Sequence, residues 1–245
     1  MPEQRSHPTA PVSTGAVGVL FDIDDTLVDL RSAMRGALLV AAAAELEGLG
    51  EEERAAFATH FSADEAGFYD KYVKGKYGFA EQRHLRLQAA LAVFGRDTEQ
   101  EARAFSTVFE ETVRKLWAAF PDVHEVLDRL DAAGIPYAAV TNNVEGYQRE
   151  KLAVTGLHRI EVVIGTDTVG ASKPDPRTYL EAVRRIGSEP SLTLMVGDNP
   201  GHDVAGARAA GLSAVLIDRF SSEKNDDAVT TLTEIMPLVS ALIRR

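Results

Sequence analysis

The sequence predicts an α/β protein: a parallel β-sheet flanked by helices, interrupted near its start by an all-helical insertion. Three observations carry this. Short apolar runs alternate with amphipathic helical stretches along most of the chain, the pattern of βα units whose crossover helices make a sheet parallel. A glycine follows the last periodic residue of each of these helices, where a left-handed residue ends a helix. Between Arg31 and Lys115 the strand signals vanish and only helical patterning remains.

Taken in order, Met1–Gly15 is rich in Pro, Ser and Thr, lacks the apolar centre of a signal peptide and reads as a disordered tail. Strands are predicted at Val17–Phe21, Ile135–Val140, Glu161–Ile164, Leu192–Val196 and Ala214–Ile217. Pro121 opens a helix with Val123, Val126, Leu127 and Leu130 on one face, and Gly134 closes it. Further helices at Gly146–Thr155, Asp175–Ile186 and Asp203–Ala210 stop at Gly156, Gly187 and Gly211. A last helix is expected at Leu232–Ile243. The insertion reads as helices at Ala33–Leu46, Glu52–Phe61, Ala63–Tyr72, Ala80–Phe94 and Glu99–Trp117. The expected organisation is a core of residues 16–30 and 116–245 with a helical domain at 31–115.

At 245 residues, 45% hydrophobic and 26% charged, the chain is long enough to bury a large core and carry an insertion. Its net charge of −11 repels nucleic acid and anionic lipid, so neither is an expected partner. No run approaches the ~20 apolar residues of a membrane helix. The absence of cysteine removes disulfides and thiolate sites. It fits a cytoplasmic location, as it fits any other.

The chemistry gathers where the apolar runs end. Asp22-Ile23-Asp24-Asp25-Thr26 follows the first strand. Side chains two apart on a strand share a face, so Asp22 and Asp24 start on one side. Two carboxylates that close raise one pKa unless a divalent cation lies between them. A loop of merely acidic residues is the plainer reading of this stretch alone. Three more polar clusters change the balance: Thr141-Asn142-Asn143, Ser172-Lys173-Pro174-Asp175-Pro176, and Gly197-Asp198-Asn199-Pro200-Gly201-His202-Asp203. In a parallel sheet all four emerge at the carboxyl edge, where ligands bind. Together they supply carboxylates, a hydroxyl and an ammonium, the set that a phosphoryl group with a magnesium ion needs.

These four motifs in this order resemble the haloacid dehalogenase-like (HAD) superfamily: DxDxT at Asp22–Thr26, Thr141 after its apolar run, Lys173-Pro174, and the acidic motif Asp198–Asp203. The resemblance implies a Rossmann-like core with a helical cap inserted after the first strand. It also implies roles. Asp22 would be the nucleophile that forms an aspartyl-phosphate. Asp24 would be the general acid/base; family dehalogenases lack an aspartate there, so Asp24 favours phosphoryl transfer. Asp22, Asp198 and the backbone carbonyl of Asp24 would bind Mg²⁺, with Asp203 acting nearby through water. Thr141 and Asn142 would hold phosphate oxygens, and Lys173 would neutralise charge. His202 is expected to be structural or solvated, since the oxygen set already suits magnesium.

Asp25 stands where the family most often has glycine, as in one of its subgroups. The stretch from Thr141-Asn142 through Gln148 to Lys151-Leu152 resembles the same subgroup, the phosphatases of nucleoside monophosphates, flavin mononucleotide and acylneuraminate 9-phosphate. Asn143 replaces a second family glycine, and asparagine accepts a left-handed backbone. In the insertion, Lys74 and Lys76 lie among aromatic residues, and Arg83 and Arg86 share a helix face. Each pair reads either as a substrate-selecting element or as a solvated surface.

The expected function is a magnesium-dependent phosphatase acting on a small soluble phosphate monoester, as monomer or homodimer. A phosphomutase with the same core is the enzymatic alternative. A phospho-acceptor signalling module is the alternative from another class; it would lack both the paired aspartates and the insertion.

Overall fold

The computed structural model describes residues 16–221 and 225–244. The predicted tail lies outside the described residues. The chain divides into two compact units. One holds the residues up to Leu27, Pro121–Leu152 and those from Leu157 onward; the other holds Val28–Phe120 with Ala153–Gly156.

The elements run β1 (Ala16–Phe21), α1 (Leu30–Ala41), α2 (Glu51–Ala63), α3 (Phe68–Val73), α4 (Phe79–Ala92), α5 (Ala102–Leu116), α6 (Val123–Ala132), β2 (Tyr137–Val140), α7 (Glu145–Val154), β3 (Val163–Ile164), α8 (Thr166–Val169), α9 (Pro176–Arg185), β4 (Ser188–Gly197), α10 (Gly206–Ala209), β5 (Ser213–Ile217), β6 (Ala228–Val229) and α11 (Met236–Ile243). The six strands form one parallel sheet in the order β3-β2-β1-β4-β5-β6.

Strand β1 is central and covered on both faces: Val19, Leu20 and Phe21 are fully buried. That is why it reads as an unbroken apolar run instead of an alternating one. Leu20, Val140, Met195 and Tyr179 belong to one core cluster, which ties the sheet to α9. Register decides where the loops emerge. Phe21 lies beside Ala139 and Val196, and Val140 beside Ile164. The ends of β1, β2, β3 and β4 therefore share one edge.

In the helical unit, α1 packs along α5. A Cβ at Gly36 would sit 2.7 Å from Leu116 Cδ1, so a larger residue there would make the Leu116 side chain shift. Phe57 and Phe61 of α2, Leu87 and Leu91 of α4, and Phe105 and Phe109 of α5 fill its interior. Phe61 stacks on Phe109 with ring centroids 6.1 Å apart.

Several predicted elements differ from those observed. The helix expected at Ala63–Tyr72 is broken. Asp64 and Gly67 take left-handed φ values of 46° and 64°. The Asp64 carboxylate then accepts from the Phe68 and Tyr69 amides at 3.0 and 2.8 Å, starting α3 afresh. The helix expected at Asp203–Ala210 is a π-helical turn over Pro200–Ala205 followed by the short α10. The expected terminal helix begins as a 3₁₀ turn at Leu232–Ile235, and α11 starts with Pro237 in its first turn, where the missing N–H costs nothing. Strand β3 is shorter than the expected Glu161–Ile164, and β6 adds a strand beyond the five the sequence predicts.

One side chain grips both ends of the long segment Val28–Phe120. Arg219 Nε donates to the Thr26 carbonyl at 2.9 Å, and its terminal nitrogens reach the two Asp122 oxygens at 3.1 Å each.

Candidate active site

The site is built at the shared edge of β1, β2 and β4. The Asp22 amide donates to Val196 O at 2.9 Å, so the sheet ladder runs right up to the first aspartate. Its side chain is 10% exposed. The chain then turns sharply, with Asp25 at φ 60°.

Lys173 is buried between two carboxylates. Its Nζ donates to Asp22 Oδ1 at 2.5 Å and to Asp203 Oδ1 at 2.7 Å. The lysine backbone is splinted by Asn142: Lys173 N–H donates to Asn142 Oδ1 at 2.6 Å, and Asn142 Nδ2 donates to Lys173 O at 3.1 Å. The Asn142 side chain thus ties the loop carrying Lys173 to the end of β2. Asn143 does not take the left-handed backbone expected of it. Among the described non-glycine residues only Asp25 and Asp64 do. Asn143 instead closes its turn through hydrogen bonds, from its amide to Thr141 Oγ at 3.3 Å and from Val144 N–H to its Oδ1 at 2.8 Å.

Asp203 reaches the cluster through the π-turn. Its amide donates to Asn199 O at 2.9 Å, and Val204 N–H reaches the same carbonyl at 3.3 Å. Asn199 Oδ1 accepts from the Gly201 and His202 amides at 3.0 and 2.8 Å, capping the turn. Asp203 Oδ2 accepts from Asn199 N–H at 3.0 Å. The carboxylate packs so closely on β4 that a Cβ on Gly197 would lie 2.3 Å from Asp203 Cγ. His202 is exposed and lies outside the carboxylate cluster; its carbonyl accepts from the Tyr179 hydroxyl.

Asp22, Asp198 and Asp203 each bring an oxygen within 4.8 Å of the others. Three carboxylates against one ammonium leave an excess of negative charge. Burial, and then Asp203 and Asp24, push the Asp22 carboxyl up to about 8 against the pull of Lys173. Partial burial, Asp203 and Asp25 push Asp198 up to about 6. Burial alone would lower the Lys173 pKa, but Asp22 and Asp203 outweigh it and hold the ammonium charged. A compact, all-oxygen, over-negative cluster fits a hard divalent cation.

Asp24 lies apart from this cluster in its contacts. Its Oδ1 pairs with Lys151 Nζ, and its Oδ2 accepts from Gln148 Nε2 at 2.8 Å. Gln148 also donates to Thr141 Oγ at 2.9 Å. Gln148 and Lys151 are buried, and the sequence marks them only as part of the subgroup pattern, without a role. Their spacing of three on α7 was the available signal, because it aims two long polar side chains one way from a helix with little apolar surface.

The residues expected to select substrate are placed differently from one another. Lys74 and Lys76 are exposed. Arg83 is 7% exposed, donates to Ser106 Oγ at 3.1 Å and Glu110 Oε1 at 2.7 Å, and lies over the Phe79 and Phe109 rings. Arg86 donates twice to the Phe61 carbonyl, at 3.1 and 2.8 Å. Neither arginine forms a solvated charged face.

Comparison with known proteins agrees with this architecture. A family model described as haloacid dehalogenase-like hydrolase matches residues 17–211. The glyceraldehyde 3-phosphate phosphatase of Methanopyrus kandleri is 34% identical over 218 residues, covering 86% of this chain and 89% of that protein. The phosphoserine phosphatase of Thermus thermophilus is 38% identical over 147 residues, 60% of this chain and 58% of that one. The magnesium-bound HAD-hydrolase YfnB from Bacillus subtilis superposes with a TM-score of 0.70 at 20% identity, over 92% of this chain and 99% of that one, a likeness of fold. The chain belongs to the haloacid dehalogenase-like hydrolase family. Its activity class is that of a phosphoric monoester hydrolase, the class in which these curated relatives fall.

Proposed function

We propose that this enzyme is a magnesium-dependent phosphatase that hydrolyses a small soluble phosphate monoester, of the nucleotide, flavin or sugar phosphate class, through an aspartyl-phosphate on Asp22. The observation that carries the reading is the separate surroundings of the two aspartates. Asp22 shares a buried ammonium with Asp203, whereas Asp24 is held by its own pair of donors.

In the first half-reaction Asp22 Oδ attacks phosphorus, the P–O bond to the leaving alcohol breaks, and Asp24 gives that oxygen its proton. In the second, Asp24 takes a proton from water, the new O–P bond forms, and the Asp22–phosphorus bond breaks. The Thr141 hydroxyl and the Lys173 ammonium hold phosphoryl oxygens, with donors fixed before reaction begins. Asp22, Asp198 and the Asp24 carbonyl would hold the magnesium ion, with Asp203 beside them. When bound, the ion offsets the phosphoryl charge and favours the ionised form of Asp22. The helical unit, as a cap, would exclude water and read the leaving group.

The test is a panel of phosphate monoesters assayed with Mg²⁺ and with chelator, including nucleotides, flavin mononucleotide, sugar phosphates and phosphoglycolate. Release of inorganic phosphate that stops with chelator and returns with Mg²⁺ is expected. Chelator-resistant turnover, or phosphoryl transfer to a second sugar without phosphate release, would overturn the proposal.

A further inference from the structure

Two buried side chains beside the catalytic residues have no part in the chemistry so far. Gln148 is fully buried and Lys151 is 1% exposed. Gln148 uses both hydrogens of one amide nitrogen, one on Asp24 Oδ2 and one on Thr141 Oγ. The orientation of the amide follows from its neighbours. With nitrogen on this side, both N–H groups meet oxygen acceptors, one on Asp24 and one on Thr141. This leaves Gln148 Oε1 buried with no hydrogen-bond partner, an unfavourable state that the two N–H bonds outweigh.

Thr141 Oγ also accepts from the Asn143 amide. A hydroxyl has two acceptor sites and one hydrogen. With both acceptor sites filled by Gln148 and Asn143, the hydrogen is left free to donate elsewhere. That is the form in which a threonine binds a phosphoryl oxygen. The same amide holds one oxygen of Asp24, while Lys151 holds the other.

We propose that Gln148 is a positioning residue that couples the phosphate-binding hydroxyl of Thr141 to the proton-transferring carboxylate of Asp24. Lys151 is its counterpart on the second Asp24 oxygen. The proposal rests on the roles given to Asp24 and Thr141 above. It makes a distinction that those roles do not. Gln148 acts on both phosphate binding and leaving-group chemistry, whereas Lys151 acts on leaving-group chemistry alone.

The experiment compares Gln148→Met, Lys151→Met, Thr141→Val, Asp24→Asn and the doubles Gln148→Met/Thr141→Val and Gln148→Met/Asp24→Asn. Three quantities are read for each: inhibition by inorganic phosphate, kcat/KM for an alkyl phosphate and for p-nitrophenyl phosphate, and thermal unfolding. Gln148→Met should weaken phosphate inhibition by about 3- to 10-fold, the worth of one oriented hydrogen bond. It should also lower kcat/KM on the alkyl ester at least about tenfold more than on the nitrophenyl ester, as a misplaced general acid does. In the Thr141→Val background it should cost no further phosphate affinity, and in the Asp24→Asn background no further discrimination. Lys151→Met should shift discrimination and leave phosphate inhibition unchanged.

Additive doubles, or an equal loss on both esters that follows the melting temperature, would overturn the coupling. If Gln148→Met does not fold, Gln148→Glu keeps the shape without the donors; wild-type discrimination and inhibition in that variant would also overturn it. Failure of Asp24→Asn to discriminate between the esters would instead sink the role of Asp24. The Gln148–Thr141 arm would then be judged by phosphate inhibition alone.

Discussion

Replacing Lys173 with methionine removes the ammonium that Asp22 and Asp203 share. The three side chains are 3%, 10% and 1% exposed, so solvent screens little of their interaction. Breaking such a buried group by deleting one partner costs about 3–5 kcal/mol, because the charges left behind have no compensation. For a chain of this size each kcal/mol moves Tm by about 2–4 °C, giving a fall of about 6–20 °C. The loss has a pH signature. Without the lysine, the Asp22 carboxyl loses the charge that pulls its pKa down and binds its proton more tightly still, and once protonated it no longer repels Asp203. The variant should therefore lie closest to wild type at pH 5 and furthest below it at pH 8. Lys173 itself stays charged across that window. Thermal unfolding in chelator, at both pH values, measures the difference. A loss of less than about 2 °C at pH 8, or a larger loss at pH 5 than at pH 8, would refute the electrostatic account of the cluster.

Three further predictions follow from the same geometry. In metal-free wild-type protein the unfolded Asp22 releases its proton near 3.8 and the folded one near about 8, so the folded state holds more protons between them. Its contribution should lower stability as pH rises through that window, and Mg²⁺ should flatten the slope while releasing protons to the buffer, as pH-stat titration would detect. Asp22→Asn should abolish turnover on every ester. Asp24→Asn should instead give a burst of nitrophenol from p-nitrophenyl phosphate followed by slow turnover, with a loss of about 10²–10⁴ on alkyl esters; quench-flow with no burst would remove the role of Asp24. Arg83→Met should destabilise the helical unit by about 1–3 kcal/mol through the loss of its hydrogen bonds to Ser106 and Glu110, with less effect on substrate profile than Lys74→Ala or Lys76→Ala. A changed profile at unchanged Tm would place Arg83 at the substrate instead.

What was legible in the sequence was what local patterning dictates. The run Val17–Phe21 is continuous because β1 is buried on both faces, and the glycine stops mark helix ends because positive φ is needed there; Gly134, Gly156, Gly187 and Gly211 all adopt it. The meeting of Asp22, Lys173, Asp198 and Asp203 could be anticipated because strand ends of a parallel sheet share an edge. Illegible features depend on tertiary partners. Arg83 reads as a surface charge until Ser106 and Glu110, far along the chain, are brought to it. Residues 63–72 are the exception: the break is local, with Asp64 capping α3 and Gly67 beside it, but the helical stretches on either side mask so short a signal. The π-turn at Pro200–Ala205 carries Asp203 onto Gly197, a contact without periodicity. Strand β6 is two residues long, too short for any alternation to register.

Arg219 holds Thr26 and Asp122 with one guanidinium, so the two ends of the long segment Val28–Phe120 are fixed at a single point. Everything between them is, to the sheet, a loop whose ends are already closed. The entropy of closing a loop grows only with the logarithm of its length. Lengthening, shortening or exchanging the intervening helices therefore changes little in the energetics of the strands that carry Asp22 and Asp198. The junction works like a socket: the strand ends that carry the carboxylate cluster keep their anchorage whatever helices are plugged in between.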